Sequence, residues 1–165
     1  MRGKIPFYPS KWEVVEKLSR IYVPRPSERI VDLGSGDARI LITLASKYDD
    51  IKLLGIEKNS KLVNASRRRI QRLNLGNVEI LNQDLFNYKI SKEKIDTVYA
   101  YLTKDALLKL KPKLVKFIEN NGLIILLDFN IPKLKPSITI PINTASGRYW
   151  LYIYGNKDRI TQLKI

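Results

Sequence analysis

The residues most able to do chemistry lie in Ile30-Val31-Asp32-Leu33-Gly34-Ser35-Gly36-Asp37-Ala38-Arg39. An apolar run enters a Gly-x-Gly turn, and a helical pattern follows. Gly34 and Gly36 let the backbone bend tightly and approach a ligand closely. Glu57 ends the next apolar run, 57 − 36 = 21 residues after Gly36. A carboxylate there can accept both hydroxyls of an adenosine ribose. Asp84, in Asn82-Gln83-Asp84-Leu85-Phe86, is placed to meet an adenine amino group, with Leu85 or Phe86 against the ring. Taken singly, Asp37 also suits a helix N-cap and Asp84 a turn.

The flanking charges discriminate between nucleosides. Arg39 stands where a dinucleotide fingerprint has its third glycine. Asp32 and Asp37 bracket the glycines, and two carboxylates at a helix N-terminus repel a pyrophosphate. No GxxxxGK phosphate loop is present. S-adenosylmethionine fits better, with a sulfonium, an amino group and a ribose for Glu57. The expected cofactor residues are Asp32, Gly34, Gly36, Asp37, Glu57, Asp84 and Leu85.

Composition removes other chemistries. The chain of 165 residues has no Cys and no His. That excludes disulfides, thiolate zinc sites, a Cys nucleophile and a Ser-His-Asp triad. No acidic cluster has calcium-loop spacing, so no metal is expected. Lys+Arg outnumber Asp+Glu by 30 to 16, a formal charge of +14. Such a surplus attracts polyanions, or marks a lysine-rich thermophile surface. The chain is 28% charged and 44% hydrophobic, which is globular. Its longest apolar run, Leu123 to Leu127, is far below the ~20 residues of a membrane span. The N-terminus lacks the apolar stretch of a signal peptide, and a soluble cytoplasmic monomer of one domain, 1–165, is expected.

Elements that alternate along the chain must position these groups. Ser10-Lys11-Trp12-Glu13 reads as a capping box opening a helix that Pro24 and Pro26 end. Strands are expected at Arg29 to Leu33, Ile51 to Ile56, Val78 to Leu81, Ile95 to Tyr99 and Leu123 to Asp128. Helices are expected at Ala38 to Lys47 and at Ser60 to Asn74, the latter with Leu62, Ser66, Ile70 and Leu73 inward and Gly76 as C-terminal cap. Pro112 splits Lys104–Glu119 into two helices. Ile138 to Ile142 and Tyr149 to Tyr154, joined by Thr144-Ala-Ser-Gly147, form an antiparallel hairpin. The α/β class follows: an open, doubly wound sheet of seven strands, mostly parallel, with the terminal hairpin at 137–155 and an N-terminal helical segment, 1–25, over the cofactor site.

Four segments resemble a known family. They are Phe7-Tyr8-Pro9-Ser10, Asp32-Leu-Gly-Ser-Gly-Asp-Ala-Arg39, Lys109-Leu-Lys-Pro-Lys-Leu114, and Phe129-Asn-Ile-Pro-Lys-Leu-Lys-Pro136 followed by Leu151-Tyr-Ile-Tyr-Gly155. Together they resemble the archaeal broad-specificity protein-lysine methyltransferases and the related mitochondrial enzymes that modify a lysine in the membrane ring of ATP synthase. These are class I methyltransferases with a Rossmann-like seven-stranded sheet. The resemblance implies transfer of a methyl group from S-adenosyl-L-methionine to lysine side chains of proteins. The chain departs from the pattern at Ala38 (usually Gly), Leu134 (usually Trp), Asp128 and Asn130 (often Glu), and Phe7, which stands at the family's Tyr position.

An amine acceptor needs desolvation to lose its proton, and aromatic faces hold the cation beforehand. Tyr8, with Phe7, and Tyr101 are the candidate catalytic residues, lining an acceptor channel with the Phe129–Pro136 loop. Ser10 is read as a helix cap. Chromatin or ribosomal proteins are natural lysine-rich partners. The competing reading is an RNA or DNA methyltransferase docking nucleic acid on Arg67, Arg68 and Arg72. Tyr99-Ala-Tyr-Leu-Thr103 lacks the Pro-Pro of amino-methylating nucleic-acid enzymes. A third reading, a binder that has lost its cofactor, sits poorly with intact Asp32, Gly34, Gly36 and Glu57.

Overall fold

The computed structural model describes residues 9–92 and 94–164. The elements in order are α1 (Trp12–Ile21), β1 (Arg29–Leu33), α2 (Arg39–Ala45), β2 (Lys52–Glu57), α3 (Ser60–Arg72), β3 (Val78–Asn82), β4 (Thr97–Ala100), α4 (Lys104–Glu119), β5 (Leu123–Leu127), β6 (Ile138–Thr144), β7 (Gly147–Tyr154) and α5 (Lys157–Ile160). One seven-stranded sheet results, in the order β3-β2-β1-β4-β5-β7-β6. β7 runs antiparallel to both neighbours, and the remaining pairings are parallel. The strand order reverses direction beside β1, and the crevice above that switch point is where open α/β sheets take ligands.

The central strands are apolar because both faces are covered. All five residues of β5 are buried, and they alternate between two cores. Leu123, Ile125 and Leu127 face the side packed by α1 and α2. Ile124 and Leu126 face the side where Leu107, Leu110 and Leu114 of α4 are buried. Each such leucine stabilises the fold by about 1.5–3 kcal/mol through lost apolar surface.

Below the sheet, Glu28 is buried and accepts from Tyr22 Oη (2.8 Å), the Arg25 N–H (2.7 Å), Thr97 Oγ1 (2.5 Å), Arg159 Nη2 (2.8 Å) and Gln162 Nε2 (2.6 Å). The burial of a carboxylate is tolerated because five donors surround it.

Several local expectations change. The capping box does not form: Lys11 is the N-cap of α1 and makes no side-chain cap bond. Glu13 is drawn instead to the Ala145 N–H and to Lys17. α4 is one helix with Pro112 inside it. Pro112 lies on the outer face beside Leu108, itself 55% exposed, so water can take the carbonyl that loses its donor. Val63 rather than Leu62 is buried in α3, and Leu73 is 47% exposed. The left-handed residue after α3 is Asn74 (φ 53°), so Gly76 is not its cap. The short α5 had no periodic signal in the sequence.

Candidate functional site

Residues at the C-terminal ends of β1, β2 and β4 enclose a cavity of about 690 Å³. All seven expected cofactor residues line it: Asp32, Gly34, Gly36, Asp37, Glu57, Asp84 and Leu85. Tyr101 lines it as well. Tyr8 and Phe7 lie outside the described residues.

The glycine turn is built as the sequence implies. Gly34 (φ 85°) and Gly36 (φ 55°) are left-handed, which costs glycine nothing. A Cβ on Gly34 would stand 3.2 Å from Leu102 Cδ2 and 3.7 Å from Leu85 Cδ2, so the turn is roofed closely by apolar side chains. Ala38, where the resembled family has glycine, is also left-handed (φ 58°) and forms the N-cap of α2. It is neither Asp37 nor a side-chain cap that starts this helix. Asp37 is instead gripped by the Arg39 guanidinium, with Nε at 2.8 Å and 3.1 Å from its two oxygens.

Glu57 is held in place by backbone donors. Its Oε2 accepts the Gly36 N–H (3.1 Å) and its Oε1 the Asn59 N–H (2.8 Å). Each oxygen keeps a lone pair for a ribose hydroxyl. Asn59 in turn caps α3 by accepting from the Lys61 N–H. Asp84 accepts the Phe86 N–H (2.9 Å), so the turn reading of this residue is also correct. Of the two candidates for the adenine ring, Leu85 faces the cavity, whereas Phe86 packs on the α4 core beneath Lys109.

Asp32 is buried, and its carboxyl is pushed well above the usual carboxylate range. Burial is the main cause, and the charges of Glu57 and Asp37 add to it. Three crowded carboxylates fit a cation and oppose a phosphate.

The β4 end differs in character. Tyr99 is buried, and its phenol is raised above its ordinary range, first by burial and then by Asp32, with the Ser10 hydroxyl acting against both. Ser10, read as a cap, is buried in the cavity wall beside Pro9. The Tyr101 hydroxyl stands 3.4 Å from Asp128 Oδ2, while Asp128 Oδ1 accepts the Trp150 N–H at 3.2 Å. Sequence reasoning missed Ser10 and Tyr99 as lining groups. Ser10 had a competing local explanation, and Tyr99 sits in an apolar run with nothing to single it out. Arg67 is not free to dock a polyanion, since it donates to the Ile80 carbonyl through Nε (3.1 Å) and Nη2 (2.6 Å). Arg68 and Arg72 lie exposed on the same helix.

Known proteins share this geometry. The chain is 25% identical over 151 residues to a protein-lysine N-methyltransferase of Saccharolobus islandicus, covering 91% of this chain and 92% of the relative. It is 29% identical over 133 residues to a human lysine N-methyltransferase named for the C-type ring protein of ATP synthase, covering 80% of this chain but only 55% of that protein. Its fold matches the crystal structure of an RNA methyltransferase from Salinibacter ruber in complex with S-adenosyl-L-homocysteine, with a TM-score of 0.72, 24% identity, and 91% and 95% of the two chains covered. The family model of the ANTKMT methyltransferase domain matches residues 32–138, from the Asp32 of the glycine turn to the first residue of β6. The chain therefore belongs to the ANTKMT methyltransferase domain family, whose members use S-adenosylmethionine as methyl donor.

Proposed function

We propose that this protein methylates the ε-amino groups of lysine side chains in proteins. One observation carries the reading: the carboxylate cradle of Asp32, Glu57 and Asp84 continues, within a single cavity, into a wall of Tyr99, Tyr101 and Ser10. The first part suits a cationic adenosyl donor and the second an amine acceptor. The kinship with lysine methyltransferases supports the same assignment.

When bound, S-adenosylmethionine supplies a methyl group activated by its sulfonium. Glu57 holds the ribose, Leu85 packs on the adenine and Asp84 faces its amino edge. Gly34 and Gly36 allow the close approach of the methionine part, and the Asp32 carboxylate balances its cationic end. This orients the donor's reacting end toward β4, because Glu57 lies on the β3 side of β1 and Tyr99 on the other. The acceptor amine must arrive without its proton, since only the free lone pair attacks. Burial beside Tyr99 and Tyr101 favours the neutral amine, and the proton leaves to solvent before transfer. In-line placement of amine and methyl then supplies much of the rate.

The test is incubation with methyl-labelled S-adenosylmethionine and purified core histones, followed by mass spectrometry of lysine residues. A parallel incubation uses cell extract with and without nuclease. Methyl-lysine that survives nuclease is the expected result. Label found only in RNA would replace this reading with the nucleic-acid one.

A further inference from the structure

Arg39 ties together more of the cavity rim than its exposed position at the start of α2 would suggest. Its Nε and Nη2 hold the Asp37 carboxylate, its Nη1 donates to the Ser10 carbonyl, and its plane lies 5.0 Å from the Trp12 ring centre. Arg69 lies over the same ring at 5.1 Å. The Arg39 side chain is only 16% exposed. Asp37 follows Gly36, whose N–H is fixed on Glu57. Ser10 stands against Tyr99. A continuous chain of contacts thus runs from Glu57 through Gly36, Asp37, Arg39 and Ser10 to Tyr99, and rings the cavity.

We infer that Arg39 is a positioning residue that locks the Pro9–Trp12 wall of the acceptor side to the cofactor loop. The inference rests on the methyl-transfer reading for its kinetic consequence. A guanidinium is needed because it binds a carboxylate and a carbonyl along its edges while stacking on an indole. A lysine is a point charge and satisfies one of these at a time. Occupation of the cofactor loop therefore also orders the wall against which the acceptor amine is placed. The position of Arg39 beside the loop, outside the Glu57 and Asp32 contacts, separates its effect from that of the donor-binding residues.

The variants R39K and R39A are compared with the wild type in three measurements. Calorimetric affinity for S-adenosyl-L-homocysteine is expected to stay within about threefold, since the Glu57 contacts are untouched. The kcat/KM for core histones is expected to fall by about a hundredfold in both variants, the cost of a misplaced reactant, with R39K giving no rescue. S-adenosyl-L-homocysteine is expected to slow amide hydrogen exchange across residues 10–15 in the wild type and not in R39K. Unchanged histone kinetics in R39K would overturn the proposal. So would a loss of cofactor affinity as large as the loss of kcat/KM, because Arg39 would then serve the loop alone. If the wild type methylates no histone lysine, the functional reading fails instead. The exchange measurement then decides on Arg39, with equal protection in wild type and R39K counting against it.

Discussion

Glu57 accepts two backbone N–H groups, and these fix its carboxylate at the end of β2 before any ligand arrives. Replacement by alanine is expected to weaken S-adenosylmethionine binding by about 2 kcal/mol, the value of a lost hydrogen bond to a charged group. Calorimetric titration checks this, and wild-type affinity in the variant would remove the ribose role. Asp32 carries a pH prediction. Its carboxyl is raised by burial, by Glu57 and by Asp37, so the folded chain holds this proton at pH values where the unfolded chain has released it. Asp32 therefore makes stability fall as pH rises from the ordinary aspartate value of about 3.9 through its raised value. Asp32→Asn is expected to flatten that slope and to raise stability at neutral pH while weakening cofactor binding. Urea midpoints between pH 5 and 8 measure the first effect. The site was legible at this scale because Asp32, the two glycines and Glu57 each follow from a local pattern. Ser10 was not legible, because the group that draws Glu13 away from the capping box, the Ala145 N–H, lies across the fold.

α4 shows how packing overrides propensity. Pro112 should divide the segment, yet buried Leu107, Leu110 and Leu114 hold both halves on one axis. Pro112→Ala is expected to stabilise the protein by up to about 3 kcal/mol, the propensity difference in a helix interior. Chemical denaturation tests this, and an unchanged midpoint would mean that the helix has already absorbed the missing donor. β2 carries the opposite case. A Cβ on Gly55 would lie 2.6 Å from both Ile80 Cδ1 and Ser35 Oγ. Gly55→Ala is therefore expected to displace Ser35, which sits between the two cofactor glycines. The measurable result is a loss of S-adenosylmethionine affinity larger than the loss of stability. Strands were readable as elements because uninterrupted apolar runs need covered faces. The end of α3 was not, since Asn74 rather than Gly76 takes the left-handed position, and both residue types tolerate it.

The Glu28 cluster joins the chain ends beneath the sheet. Arg159 and Gln162 reach it from the last segment, Tyr22 and Arg25 from the first, and Thr97 from β4. Glu28→Ala leaves the Arg159 guanidinium buried without its counter-charge and is expected to cost about 3–5 kcal/mol. Denaturation of Glu28→Leu combined with Arg159→Met should recover most of that loss, because the stranded charge goes too. Nothing in the sequence marked this cluster, whose members lie far apart along the chain and share no spacing. The seven-stranded order, by contrast, followed from the alternation of elements and from the aromatic hairpin. That hairpin brings a constraint of timing. β7 slots between β5 and β6, and its Trp150 N–H steadies Asp128 beside Tyr101. During synthesis the acceptor end must therefore wait until residues beyond 150 have left the ribosome, although every donor-side group from Asp32 to Leu85 emerged long before. A nascent chain can grip its methyl donor while it is still unable to aim it.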